Sequence, residues 1–530
     1  MFKSTLAATV LMTALISSAS AKTLVFCSEG NPEAINPQIV TTTTGMNAGR
    51  PIFNNLVEFA AGTTEIKPSL AESWTISPDG TEYVFKLRQG VKFHASERFT
   101  PTRTMNADDV LFSLERQWKE SHPYHNISGA KYDYFKDIGM PEILKSIEKI
   151  DDMTVKIVLT RAEAPFLANL AMDFNVVHSA EYSDLMLKAG TPDKLDTEPV
   201  GTGPFEFVSF QKDVAIRYRA FADYWAGAQP IDTLVFSITE NPAVRLTKLK
   251  AGECHVMAFP DPHDVDKIKA DSNLALLSQE GLNIGYLSLN VTKPPLDDVR
   301  VRRAINMAID KASILEAVYR GAGVIAKNPI PPTMWSYNDD IKDYPYDVDA
   351  ARKLMADAGH AVGFETEIWY MPVSRAYNPD GKRVAELIQT DLAKIGIRLK
   401  LVSYPWDEYR VKLQDGEAPM ALFGWTGDNG DPDNFLNVLL GCTAARKGGN
   451  NVAKWCNRDY DALITQAKST SDQAERSKLY RQAQEIVKRE APWVPIAHSV
   501  VFTGARKNVQ NYKMDPLGRH PFEGVDLSTD

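Results

Sequence analysis

Two segments of this chain hold opposite charges in settings suited to a ligand. Met371-Pro-Val-Ser-Arg-Ala-Tyr-Asn378 carries Arg375, and Gly424-Trp-Thr-Gly-Asp-Asn-Gly-Asp431 carries Asp428. A guanidinium offers a carboxylate two parallel hydrogen bonds. A carboxylate in turn accepts from an ammonium group. If the two segments converge they form a receptor for a zwitterion, and a free peptide has those two ends. Their separation would set peptide length, because an extended residue spans about 3.3–3.6 Å. Trp369, Tyr370, Tyr377, Trp406 and Trp425 surround these segments. Flat rings offer area with few fixed hydrogen bonds, so such rings can wall a pocket tolerant of shape. The glycines around Asp428 let backbone groups approach a ligand closely.

The elements that must position these residues follow from hydrophobic spacing. Thr366-Glu-Ile-Trp-Tyr-Met371 reads as a strand that feeds the arginine segment. Arg383 to Lys394 is an amphipathic helix with Val384, Leu387, Ile388 and Leu392 on one face, stopped at Gly396. Ile397 to Leu401 alternates as the next strand. A strand, helix and strand in that order predict a parallel pair. Pro419 to Gly424 is a short apolar strand leading into the Asp428 segment. In α/β sheets, ligands bind beyond the carboxyl ends of strands, where both segments would lie.

Elsewhere, Glu82 to Leu87 alternates as a half-buried strand, and Asn106 opens a helix carrying Val110, Leu111 and Leu114. Ile216 to Arg219 and Leu234 to Ile238 are further strands. Asp297-Asp298 predicts the cap of a helix in which Ala304, Ile305, Ala308, Ile309 and Leu315 recur, with Gly321 as its stop. Mixed strands and helices throughout, with no internal repeat, predict an α/β or α+β class.

Other chemistry finds no footing. His122-Pro-Tyr-His125 lacks a helix and a supporting carboxylate, and reads as a surface loop. Asp428, Asp431 and Asp433 fail the alternating-oxygen spacing and terminal Glu of an EF-hand. There is no G-x-S-x-G, Walker loop or H-E-x-x-H. No metal or cofactor is expected.

The chain begins with a basic residue, an apolar stretch from Leu6 to Ile16 and Ala19-Ser20-Ala21, the three parts of a secretory signal. Cleavage is expected after Ala21, leaving a soluble protein. The 530 residues exceed the ~250–300 at which one core stops growing, so several domains are expected. Net charge is −9 with no basic run, a poor match to nucleic acid or anionic lipid. The four cysteines, Cys27, Cys254, Cys442 and Cys456, suggest disulfides in an exported protein. Cys442 and Cys456 bracket a Gly/Asn-rich loop that they would staple, but spacing alone leaves three pairings open.

Several stretches resemble a known family. They include Lys-Thr-Leu-Val-Phe-Cys-Ser-Glu-Gly at 22–30, Asn-Ala-Asp-Asp-Val at 106–110 and Gly-Thr-Gly-Pro-Phe at 201–205. More specific are Ile-Pro-Pro-Thr-Met-Trp at 330–335 and Gly-Trp-Thr-Gly-Asp-Asn-Gly-Asp-Pro-Asp-Asn-Phe at 424–435. Across nearly the whole chain after residue 21, the sequence resembles the dipeptide receptors of bacterial ABC importers, in extracellular solute-binding family 5. The resemblance implies a two-lobed periplasmic-binding-protein fold (type II, cluster C) with an additional domain. The implied division is a signal peptide at 1–21 and lobe I at 22–52, 203–280 and 499–530. The extra domain would be 53–202, and lobe III 281–498.

On matching positions, the resemblance implies that Asp428 holds a peptide amine and Arg375 its carboxylate. Thr41, Ala376, Tyr377, Trp425, Thr426 and Gly427 would line the site, and Trp406 would wall the side-chain pocket. The family's disulfides map to Cys27–Cys254 and Cys442–Cys456. Ala376 stands where relatives carry Pro, and Thr41-Thr-Thr-Thr-Gly45 also departs from them. The implied partner is an inner-membrane ABC permease, and the protein is expected to be a periplasmic monomer with no catalytic group. The same clamp could take haem, 5-aminolevulinate or glutathione. A secreted peptidase is the reading from another class, and it would need a nucleophile or zinc motif.

Overall fold

A computed structural model describes residues 21–528, so the expected signal segment lies almost wholly outside the described residues. Its spine is the strand Trp493–Arg506, which is long enough to serve two groups of partners. The first half pairs antiparallel with Asn283–Leu289 and Gly323–Ile325, and the second half with Leu274–Glu280 and Val256–Ala258. The groups meet at Ser499, where Asn283 holds the chain. Asn283 Oδ1 accepts from the Ser499 N–H (2.8 Å) and hydroxyl (3.0 Å), and Asn283 Nδ2 donates to the Ser499 carbonyl (3.2 Å). Both residues are buried, so these bonds satisfy groups that water cannot reach.

Beyond Val256–Ala258 the sheet continues through Thr23–Ser28 and Thr233–Ile238, both parallel additions, and then antiparallel through Ala215–Ala220 to Phe205–Gln211. On the other side, Asn283–Leu289 pairs antiparallel with Met420–Thr426, followed in parallel by Phe364–Trp369 and Ile397–Val402. The parallel pair predicted from the spacing is therefore present. The helix Gly381–Ala393 crosses between its strands and buries Val384, Ile388 and Leu392. A separate antiparallel sheet runs Ala71–Ile76, Glu82–Leu87, Thr154–Leu159, Leu144–Asp151. Helix Ala107–Trp118 follows Asn106, which forms a reciprocal capping box with Asp109. The mixed α/β class is as expected.

Three local readings change. The helix after Asp298 does not run unbroken to Gly321. It ends at Ala308, Ile309 is extended, and Asp310 caps a second start by accepting from the Ser313 N–H at 3.1 Å. A short polar side chain that can cap competes with helix continuation. The chain then makes a π-helical turn, Leu315–Tyr319, and Arg320 is left-handed at φ 48°. The strand before Arg375 ends at Trp369 and not at Met371. His122-Pro-Tyr-His125 is not simply a surface loop. Tyr124 and His125 are buried, and His125 Nδ1 lies 2.9 Å from the Arg116 carbonyl.

The cysteines pair as Cys27–Cys254 and Cys442–Cys456, with Cα separations of 5.8 and 4.6 Å. No helix among the described residues is long and apolar enough to cross a membrane.

Candidate functional site

The site forms where Phe364–Trp369 and Met420–Thr426 run parallel and release their loops at the same end of the sheet. The arginine loop doubles back as a tight turn. Arg375 N–H donates to the Asn378 carbonyl (3.1 Å), and Asn378 N–H returns a bond to Arg375 (3.0 Å). Half-buried Ala376 and buried Tyr377 form the tip. Tyr377 is seated on the sheet by neighbours with no side chain. A Cβ on Gly285 would fall 2.1 Å from the Tyr377 carbonyl, and one on Gly424 2.2 Å from its ring. The Tyr319 hydroxyl, delivered by the π-helical turn, donates to the same carbonyl at 2.7 Å.

Arg375 is half-buried, and its guanidinium carbon lies 5.6 Å from the Trp406 ring. A guanidinium over a ring face keeps its edge available to donate, and one Arg375 Nη does so to the Ser374 carbonyl at 3.2 Å. Trp406 is the first residue of helix Trp406–Gln414 and stacks on Tyr409 at 5.9 Å. Among the described residues, no carboxylate pairs with Arg375 within 4.0 Å.

The opposite pole is Asp428. Its Oδ1 accepts from the Tyr134 hydroxyl at 3.3 Å and its Oδ2 from Asn434 Nδ2 at 3.2 Å. Asn434 Oδ1 also accepts from the Asp428 N–H (2.9 Å) and the Trp425 indole (3.0 Å), so one amide orients both groups. Removal from water pushes the Asp428 carboxyl up to about 7, against the pull of the Asn434 and Tyr134 donors, and the charges of Asp173 and Asp137 add to the rise. Neighbouring acids are treated differently. Asp431 takes two 2.8 Å bonds from buried Arg476, Asp433 lies 3.7 Å from Lys468, and Asp173 is paired with Arg50. Asp428 alone of these has only neutral donors. An uncompensated buried charge is costly, so a cation arriving here gains much of its binding energy from relieving that cost.

Other expected residues flank Asp428. Thr426 and Trp425 end the strand opposite Asn283 and Ile284, and Gly427 N–H donates to the Leu282 carbonyl at 2.7 Å. Thr41 lies apart in sequence, half-buried before helix Thr43–Gly49, with no side-chain hydrogen bond to the others. Beside it, Val40 packs in the core cluster that contains Tyr377. Trp369 is core, packed on Tyr404 at 4.8 Å.

Sequence reasoning missed Tyr134, Asn434, Gly285 and Tyr319. Asn434 stood inside the 424–435 motif. Tyr134 is 294 positions from Asp428, and no local pattern marks it. Among the described residues, no group of three or more His, Cys, Asp or Glu is placed to hold a metal.

A family model described as "Bacterial extracellular solute-binding proteins, family 5 Middle" matches residues 65–447. The chain is 52% identical over 511 residues to a dipeptide-binding protein of Escherichia coli (strain K12), covering 96% of this chain and 95% of that protein. It is 50% identical over 511 residues to heme-binding protein A of Haemophilus influenzae, covering 96% and 93%. Among solved structures, the dipeptide-binding protein of Pseudoalteromonas sp. SM9913 in complex with Met-Leu superposes with a TM-score of 0.88 at 37% identity, covering 96% of this chain and 100% of that one.

Proposed function

This chain belongs to the bacterial extracellular solute-binding proteins of family 5, and from that premise we propose that it captures dipeptides in the periplasm and delivers them to an ABC-type importer. The observation that carries this reading is Asp428, a desolvated carboxylate held by neutral donors and, among the described residues, lacking a cation. A peptide ammonium supplies one. Arg375, over the Trp406 ring and without a carboxylate partner among the described residues, receives the other end.

The short loop after Gly424 is in keeping with a short ligand. Tyr377 lies against Gly424, and Asp428 is four positions after Gly424. That places the Asp428 backbone at most ~14 Å from Gly424, with Arg375 two positions from Tyr377 on the facing loop. Two peptide residues span about 7 Å. A peptide of nine residues would need about 30 Å.

We assign the binding set to Thr41, Arg375, Ala376, Tyr377, Trp406, Trp425, Thr426, Gly427 and Asp428. Lobe I comprises 22–52, 203–280 and 499–530, the extra domain 53–202, and lobe III 281–498. The single strand passing Ser499 and its Asn283 clasp support a hinge there, about which the lobes close on ligand. The protein acts as a binding monomer, not an enzyme.

The 50% identity to a heme-binding relative supports haem as a second ligand to test. Thermal shift with Ala-Ala, 5-aminolevulinate and glutathione, alongside a haem absorbance titration, separates these. Ligand at 100 times Kd stabilises by about 2.7 kcal/mol. Dipeptide is expected to shift the melting transition, and a shift with haem or glutathione only would contradict the reading.

A further inference from the structure

Arg410 has no role in the clamp just described. It lies one helical turn beyond Trp406 in helix Trp406–Gln414, and residues four apart share a helix face. Trp406 presents its ring to Arg375, so Arg410 projects on the same side of the helix as the clamp. It is half-buried, and its neighbours Tyr409 and Leu413 are fully in the core, which holds the helix in place. Its charge acts on Tyr377 at the carboxylate pole, and on Tyr134 and Asp137 at the amine pole. Arg410 therefore lies within electrostatic range of both poles. Among the described residues, no carboxylate lies within 4.0 Å of it, whereas Asp137 is engaged by Arg446 at 3.7 Å and Asn450 at 3.4 Å.

Once a dipeptide's termini are matched by Asp428 and Arg375, Arg410 is left without a carboxylate partner among the described side chains. The geometry points to Arg410 as a specificity-determining residue that selects dipeptides bearing an acidic side chain, aspartyl or glutamyl. This deepens the dipeptide reading and rests on it. A glutamyl carboxylate gives the guanidinium a charged partner. A glutaminyl amide of the same shape leaves the charge only partly matched. A lysyl side chain would be repelled.

Calorimetry with isosteric pairs tests this. Ala-Glu and Ala-Gln, Glu-Ala and Gln-Ala, and Ala-Ala are titrated into the native protein and into Arg410→Met, which keeps the apolar stem. Native protein is expected to bind the glutamyl member of at least one pair about tenfold more tightly than its glutaminyl partner. Arg410→Met is expected to reduce that ratio to within twofold, with Ala-Ala affinity within threefold of native. Equal binding of both pairs by native protein overturns the inference, as does a preference that survives in Arg410→Met. If Arg410→Met fails to fold, the native comparison alone decides. Failure of native protein to bind any of the five, Ala-Ala included, overturns the dipeptide reading and this inference with it.

Discussion

Gly285 and Gly424 face each other across an antiparallel strand pair, and Tyr377 occupies the space their side chains would fill. The arginine loop is thereby set by the sheet beneath it. Neither glycine has a left-handed backbone, so the requirement is for space and not for conformational freedom.

Gly424→Ala should lift Tyr377, because the new Cβ would lie 2.2 Å from its ring and 2.6 Å from the Ile284 carbonyl. Overpacking of this kind costs about 1–3 kcal/mol. Urea denaturation should show that loss, and calorimetry a drop in dipeptide affinity of tenfold or more as Arg375 moves with its loop. Unchanged affinity would show that Tyr377 does not position Arg375.

Tyr134→Phe removes one of the two side-chain donors on Asp428 and leaves the ring. A hydrogen bond to a charged group contributes about 1.5–3 kcal/mol. Affinity at pH 7 should fall by about tenfold, and the pH at which binding is half-maximal should rise. Calorimetry from pH 6 to 8 checks both. A variant indistinguishable from native would remove Tyr134 from the amine pole.

The pH dependence has a definite sign. In the free protein Asp428 titrates near 7, raised mainly by burial. An ammonium ligand needs the ionised form. Below pH 7 binding must expel a proton, and affinity should fall, approaching tenfold per pH unit. Above about 8 the peptide amine itself deprotonates, so affinity should peak between about 7 and 8. Titrations in buffers of different ionisation enthalpy should show proton release at pH 6. Flat affinity from pH 5.5 to 7.5 would contradict the assignment.

Much of this arrangement was legible in the sequence because its signals are local. The strand, helix and strand from residue 364 to 402 followed from alternation and from one apolar helix face. Arg375 and Asp428 followed from their place after strands. The break at Ile309 was harder, since Asp310 can sit in a helix or cap one, and its neighbours decide. Tyr134 and Gly285 were not legible. Their roles depend on contacts between segments far apart in the chain, where only the folded structure brings hydroxyl to carboxylate or glycine to ring.

The central claim is that Asp428 receives a peptide ammonium. The most direct measurement is calorimetry of one dipeptide with its N-acetylated form, on native protein and on Asp428→Asn. Breaking a buried charge pair costs about 3–5 kcal/mol. Native protein should bind the free dipeptide at least a hundredfold more tightly than the acetylated one, and Asp428→Asn should lose that margin. Equal affinity of native protein for the two peptides would contradict the account.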